Sequence, residues 1–285
     1  AALQDAPAAI KLGSKAHPSQ PGGLSEKGLR SQLDASLSAL GVQRLHEFYL
    51  HQPDTEHSLL ESLRATDAFV REGRVLAVGL SNYAAIEVER AFELCAEHGL
   101  TKPSVYQGLY NPLNREVEVE LLPLLRKHGC SFLAYNPLAA GLLSGVHSPE
   151  GSVPTGRFKD NPNYLPRFYT KSCFDALETI RRECGTAQIS MVEATYRWLL
   201  THSALQPTDG LLLGASSVEQ LAANLAACAS ASAGPLPDAL RAALDGAAGI
   251  ARAEAFPYWR SYSKDMPGRE GLPPGASYNA NKAKA

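Results

Sequence analysis

The polar side chains best placed to do chemistry in this chain stand where apolar runs stop. Val75-Leu76-Ala77-Val78-Gly79-Leu80 is followed at once by Ser81 and Asn82. Phe48-Tyr49-Leu50 stops on His51, Val105-Tyr106 on Gln107, and Phe132-Leu133-Ala134-Tyr135 on Asn136. A strand buried on both faces reads as a continuous apolar run rather than an alternation. Parallel α/β proteins bind their ligands beyond the carboxyl ends of such strands. Four runs with the same grammar imply one barrel with one polar mouth. Lys15 lies near the end of a further strand, 8–17. Bland readings stand beside these: a solvated surface lysine, a core histidine with its partners satisfied, and Ser81 and Asn82 capping the next helix.

A second group is helical. Ser216, Gln220 and Asn224 recur at i, i+4 and i+8, so they share one face. Ser216 sits at the expected helix N-terminus, where backbone N–H groups favour an anion. An exposed polar face with a serine cap explains the same residues equally well. Cys95, Cys130, Cys173, Cys184 and Cys228 are scattered, with no CxxC pair, so idle thiols in a reducing compartment are expected and no metal site or disulfide framework. No GxGxxG is present, which argues against a Rossmann domain.

These groups need a scaffold. At 285 residues the chain suits one large α/β domain with a tail. A net charge of -2 offers no basic field for nucleic acid or a membrane surface, and no run of about 20 apolar residues spans a bilayer. Residues 1–5 lack the features of a signal peptide. Periodicity and punctuation predict strands at 8–17, 45–53, 75–82, 104–111, 131–138 and 210–214. Helices are predicted at 25–40, 58–71, 85–98, 116–128, 174–184, 191–202, 217–228 and 237–253. Residues 139–171 read as one long functional loop, and the polar, Gly/Pro-rich stretch after Arg260 as a disordered or partner-wrapping tail. Strand and helix alternate, which means a parallel sheet with right-handed crossovers. Six strands fall short of the eight that a closed barrel needs.

Several stretches together resemble the aldo-keto reductases. They are Phe48-Tyr49-Leu50-His51-Gln52-Pro53-Asp54, Gly79-Leu80-Ser81-Asn82-Tyr83, Tyr106 to Asn111, Asn136-Pro137-Leu138-Ala139-Ala140-Gly141-Leu142-Leu143, Gly156-Arg157-Phe158 and the run from Gly214 to Leu225. The resemblance covers about 8–260 in order and is closest to the aflatoxin B1 aldehyde (succinic semialdehyde) reductase subfamily, including Phe256-Pro257-Tyr258-Trp259-Arg260. It implies a TIM-type (β/α)8 barrel and NADPH-dependent reduction of aldehydes or ketones, without a metal. It assigns Lys15 and His51 to catalysis. It assigns Ser81, Asn82 and Gln107 to the nicotinamide amide, and Tyr135 and Asn136 to the nicotinamide side of the mouth. Asn136, Pro137, Leu138 and Gly141 fall in a backbone cradle for the pyrophosphate, and Arg157 covers the phosphates. Gly214, Ser216, Gln220 and Asn224 take the 2′-phosphate and adenine. Arg260, and more weakly Arg167, grip a substrate carboxylate. The subfamily commonly has glycine where Ala140 stands. Its members form dimers, so a homodimer or a subunit role is expected, in the cytoplasm or an organelle such as the chloroplast.

One part of the pattern is not met. The family's acid is a tyrosine, tuned by the lysine and an aspartate, and both precede the lysine strand. Upstream of Lys15 there is Asp5 and no tyrosine. The expectation is therefore a barrel at 8–260 lacking roughly its first two strand–helix units, followed by a tail at 261–285. The open alternatives are a fragment of an active reductase, a catalytically inert NADPH-binding or assembly subunit, and a chain completed by another polypeptide or by the tail.

Overall fold

The computed structural model describes residues 10–149, 158–159, 161 and 164–276. The elements alternate as the pattern of apolar runs requires: β1 (Gly13–Ala16), α1 (Glu26–Leu40), β2 (Leu45–Leu50), α2 (Leu59–Arg71), β3 (Val75–Ser81), α3 (Ala85–His98), β4 (Val105–Leu109), α4 (Leu121–Lys127) and β5 (Ser131–Tyr135). They continue with α5 (Leu165–Phe168), α6 (Lys171–Ala187), α7 (Met191–Thr201), β6 (Gly210–Leu211), α8 (Val218–Ala229) and α9 (Asp238–Ala251). The strands form a parallel sheet in chain order, β1 to β6. Among the described residues the fold is α/β with six parallel strands, and they do not close into an eight-stranded barrel.

The chain divides into two compact units, the described parts of 1–108, 119–132 and 257–277, and of 109–118 and 133–256. In the first, β1 to β4 pack beneath α1 to α3. Leu29, Leu33, Phe48, Leu63, Phe69, Val78 and Val88 are fully enclosed there. In the second, α6, α7 and α9 bury Ala176, Ile180, Ala194, Tyr196, Trp198 and Leu244. The indole N–H of Trp198 is satisfied inside that unit by Asp245 Oδ1 at 2.8 Å.

Side-chain caps set most helix starts. Ser25, Ser58 and Ser190 accept from the N–H three residues on, and the last two belong to Ser-x-x-Glu boxes. Thr170 does the same for Cys173, so α6 begins at Lys171, three residues before the sequence pattern suggested. The helix expected over 116–128 is instead a 3₁₀ turn at Glu116–Glu118 followed by α4 from Leu121. That restart leaves Pro123 in a first turn, where a missing N–H costs nothing. β5 stops at Tyr135 because Asn136 turns left-handed at φ 53° and Pro137 has no N–H to give. Inside the supposed long loop, Ala139–Ser144 forms 3₁₀ turns and Leu165–Phe168 a short helix.

Residues 257–276 are not loose. Arg90 pairs with Asp265 at 2.9 Å, Asp265 Oδ1 accepts the Leu59 N–H at 2.8 Å, and Lys264 N–H reaches Asp54 O at 2.9 Å. The Tyr258 hydroxyl accepts the Ala85 N–H at 3.0 Å, which supplies the cap that Ala84 lacks. No described helix is long and apolar enough to cross a membrane.

Candidate functional site

Register assembles the first-unit residues. Lys15 pairs with Tyr49, and Tyr49 with Gly79, so these positions form one row across β1, β2 and β3. Ser81 pairs with Gln107 two residues further along, and His51 lies two beyond Tyr49. A strand's side chains repeat every second residue, so Lys15, Tyr49, His51, Ser81 and Gln107 share one face of the sheet. Gly79 makes room for the row. A Cβ there would lie 2.3 Å from the Tyr49 ring.

Lys15 Nζ sits 5.5 Å from the centre of the Tyr49 ring, close enough for a cation–π contact. The Tyr49 hydroxyl donates to Glu47 Oε2 at 2.5 Å. Burial pushes this phenol far above its ordinary range and the Glu47 carboxylate adds to the rise, while a hydrogen bond with Gln107 opposes it. Burial lowers the Lys15 ammonium, and the negative charge of Glu47 offsets part of that.

His51 meets His17 edge to face, with ring centroids 4.9 Å apart. Burial, then His17, Lys15 and Arg260, bring the His51 imidazole down to about 4. It is therefore neutral at physiological pH, with one N–H to give and one lone pair to accept. His17 is lowered as well, by burial and by Arg260. Asn82 joins these parts. It takes φ 62°, its Nδ2 donates to His51 O at 2.8 Å and to Ser81 Oγ at 3.0 Å, and its carbonyl accepts the Arg260 N–H at 3.0 Å. Ser81, Asn82 and Gln107 are all buried.

Sequence reasoning missed Glu47, Tyr49 and His17. The signal was present: Glu47, Tyr49 and His51 recur at every second position, and His17 follows Lys15 at the same spacing.

The second-unit candidates gather around turns. Asn136 O accepts from Asn111 Nδ2 at 3.0 Å, and Pro137 and Leu138 lead into a tight turn. That turn holds Ala139 at φ 48°, Ala140 at φ 58° and Gly141 at φ 111°. Left-handed alanines are strained. The resemblance favours glycine at Ala140, and this backbone gives the physical reason. Gly214, Ser216, Gln220 and Asn224 do come together. Ser216 N–H and Oγ both donate to Gln220 Oε1 at 2.9 Å, and Asn224 Nδ2 donates to Gly214 O at 3.2 Å. The helix cap is Ser217, which accepts the Gln220 N–H, so Ser216 lies one residue outside its expected place at the N-terminus. Arg167 stacks its guanidinium 5.2 Å from the Phe256 ring centre. Arg157 lies outside the described residues. Cys95 and Cys184 are buried thiols pushed up to about 11, as idle thiols would be.

The aldo/keto reductase family model matches residues 3–238. Aflatoxin B1 aldehyde reductase member 2 of Rattus norvegicus is 41% identical over 263 residues, 88% of this chain and 71% of that protein. Aldo-keto reductase family 7 member A3 of Homo sapiens is 40% identical over 263 residues, 88% of this chain and 78% of that protein. Oxidoreductase sirO of Leptosphaeria maculans is 32% identical over 260 residues, 89% of this chain and 78% of that protein.

Proposed function

Because the chain belongs to the aldo/keto reductase family, we propose that it reduces small aldehydes and ketones to alcohols with NADPH. The observation that carries the reading is the single sheet face on which register sets Lys15, His51, Ser81 and Gln107. The same reading takes the six parallel strands as units of a (β/α)8 barrel.

The donor set suits the cofactor. Ser81, Asn82 and Gln107 offer the donors and acceptors that a carboxamide requires, at buried positions. In the second unit, the turn from Asn136 to Gly145 and the group Gly214, Ser216, Gln220 and Asn224 are the proposed holders of the phosphates and adenine. When bound, NADPH would supply the hydride to the carbonyl carbon, and solvent the proton that completes the alcohol. His51, neutral, presents an N–H to the substrate's carbonyl oxygen and orients it. Lys15 places a cation, softened by burial, where the oxygen becomes negative. The neutral histidine is essential to this division of labour, since two cations side by side would repel. Arg260 is the proposed anchor for a substrate carboxylate, with Arg167 the weaker candidate.

The test is turnover by the purified full chain. NADPH should be oxidised with 2-carboxybenzaldehyde or succinic semialdehyde, and its fluorescence should change on binding. Binding without oxidation would identify an inert nucleotide-binding subunit instead, and no binding would end the proposal.

A further inference from the structure

Residues 261–276 fold back on the point from which they leave. Arg260 N–H is held by Asn82 O at 3.0 Å, and the chain returns so that Ala276 N–H donates to Trp259 O at 2.9 Å. Arg260 Nη1 then donates to Ala276 O at 3.1 Å. The approach is close at Gly275. A Cβ there would lie 2.3 Å from Arg260 O and 2.4 Å from Arg260 C. Those are main-chain atoms, which cannot swing aside as a flexible side chain can.

The returning segment is held throughout. Ala84, Tyr262 and Met266 form a buried cluster against which Trp259 and Leu272 pack. The Tyr262 hydroxyl donates to Pro273 O at 3.0 Å, and Ser263 N–H donates to the buried Glu87 at 2.8 Å. Burial is the main cause that lowers the proton affinity of His17 and His51, and the Arg260 charge adds to the fall at both rings.

A guanidinium is a planar fork, and its advantage with a carboxylate depends on its orientation. Fixing that orientation before binding removes an entropic cost that a mobile arginine would meet. We propose that the chain return at Gly275 and Ala276 pre-orients Arg260, so that these two positioning residues set the preference for carboxylate-bearing over neutral aldehydes. The inference rests on the reductase reading above and adds two positioning residues to it.

The experiment compares the wild-type full chain with Gly275→Ala on succinic semialdehyde and on butanal, which has the same carbon count and no carboxylate. The KM for succinic semialdehyde should rise about tenfold, while kcat and both constants for butanal stay within about twofold. An equal change on both substrates, or none on either, overturns the proposal. If wild type turns over neither aldehyde, the reductase reading has failed, and positioning is read from the His17 and His51 ring titrations by NMR. Displacing Arg260 should raise both midpoints in Gly275→Ala, and unchanged midpoints overturn the proposal. Should Gly275→Ala fail to fold by circular dichroism, Ala276→Pro replaces it. That change removes the N–H held by Trp259 and leaves the space at Gly275, with the same expected results.

Discussion

The two candidate regions are built by different physics. In the first unit, strand register places Lys15, Tyr49, His51, Ser81 and Gln107 on one sheet face, and the surrounding side chains are mostly enclosed. In the second, turns and a helix start do the placing, and of the residues of α8 only Asn224 is buried. In the first, burial is the main cause of the shifts at Lys15, Tyr49 and His51. In the second, a few hydrogen bonds hold Ser216, Gln220 and Asn224 together. On the function proposed above, the chemistry belongs to the first region, and the second is the proposed holder of the nucleotide's phosphates and adenine.

The sharpest way to break that contrast is Lys15→Met. If chemistry resides on the sheet face, kcat should fall by a factor on the order of 10²–10³ in steady-state assays, with the melting temperature nearly unchanged. Next is Gly79→Ala. The new methyl would strike the Tyr49 ring, and overpacking of this kind costs about 1–3 kcal/mol, visible as a lower melting temperature. The opposite kind of change belongs to the second region. Ala140→Gly should relieve the left-handed strain at φ 58°, and thermal denaturation should show a gain of up to about 1 kcal/mol.

Acid–base behaviour separates buried groups by sign. Burial raises the Glu87 carboxyl to about 7, so between its unfolded value of about 4.5 and 7 the folded protein binds more protons than the unfolded one. Stability must therefore fall as pH rises through that window, and Glu87→Gln should flatten the slope in denaturant titrations. His51 acts in the other direction. Its depressed value means that stability is lost as pH falls from about 6.5 toward 4. The smallest effect is expected at Ser216→Ala. Stability should move by no more than about 0.5 kcal/mol, and the selectivity for NADPH over NADH measured by binding should weaken.

Much of this was legible in the chain itself. Apolar runs marked β2 to β5, and their polar stops marked His51, Ser81, Asn82 and Gln107. Periodicity and punctuation placed α2 and α7 to within a residue or so. What the sequence hid were partners distant along the chain. Tyr258 caps a helix beginning at Ala85, and Asp265 holds the Leu59 N–H, across separations no local pattern carries. For the same reason the stretch after Arg260, polar and rich in Gly and Pro, read as loose when its described part is pinned to α2 and α3. The parity of Glu47, Tyr49 and His51 was readable, but the strand's apolar character drew attention only to its end.

The most direct test of the sheet face as a hydride-transfer site follows the hydrogen itself. The full chain is given an aldehyde and NADPH deuterated at the transferable position of the nicotinamide, and the alcohol is analysed by mass spectrometry. The account predicts deuterium on the carbinol carbon with wild type and far slower labelling with Lys15→Met. Unlabelled product, or labelling that Lys15→Met leaves at the wild-type rate, would contradict it.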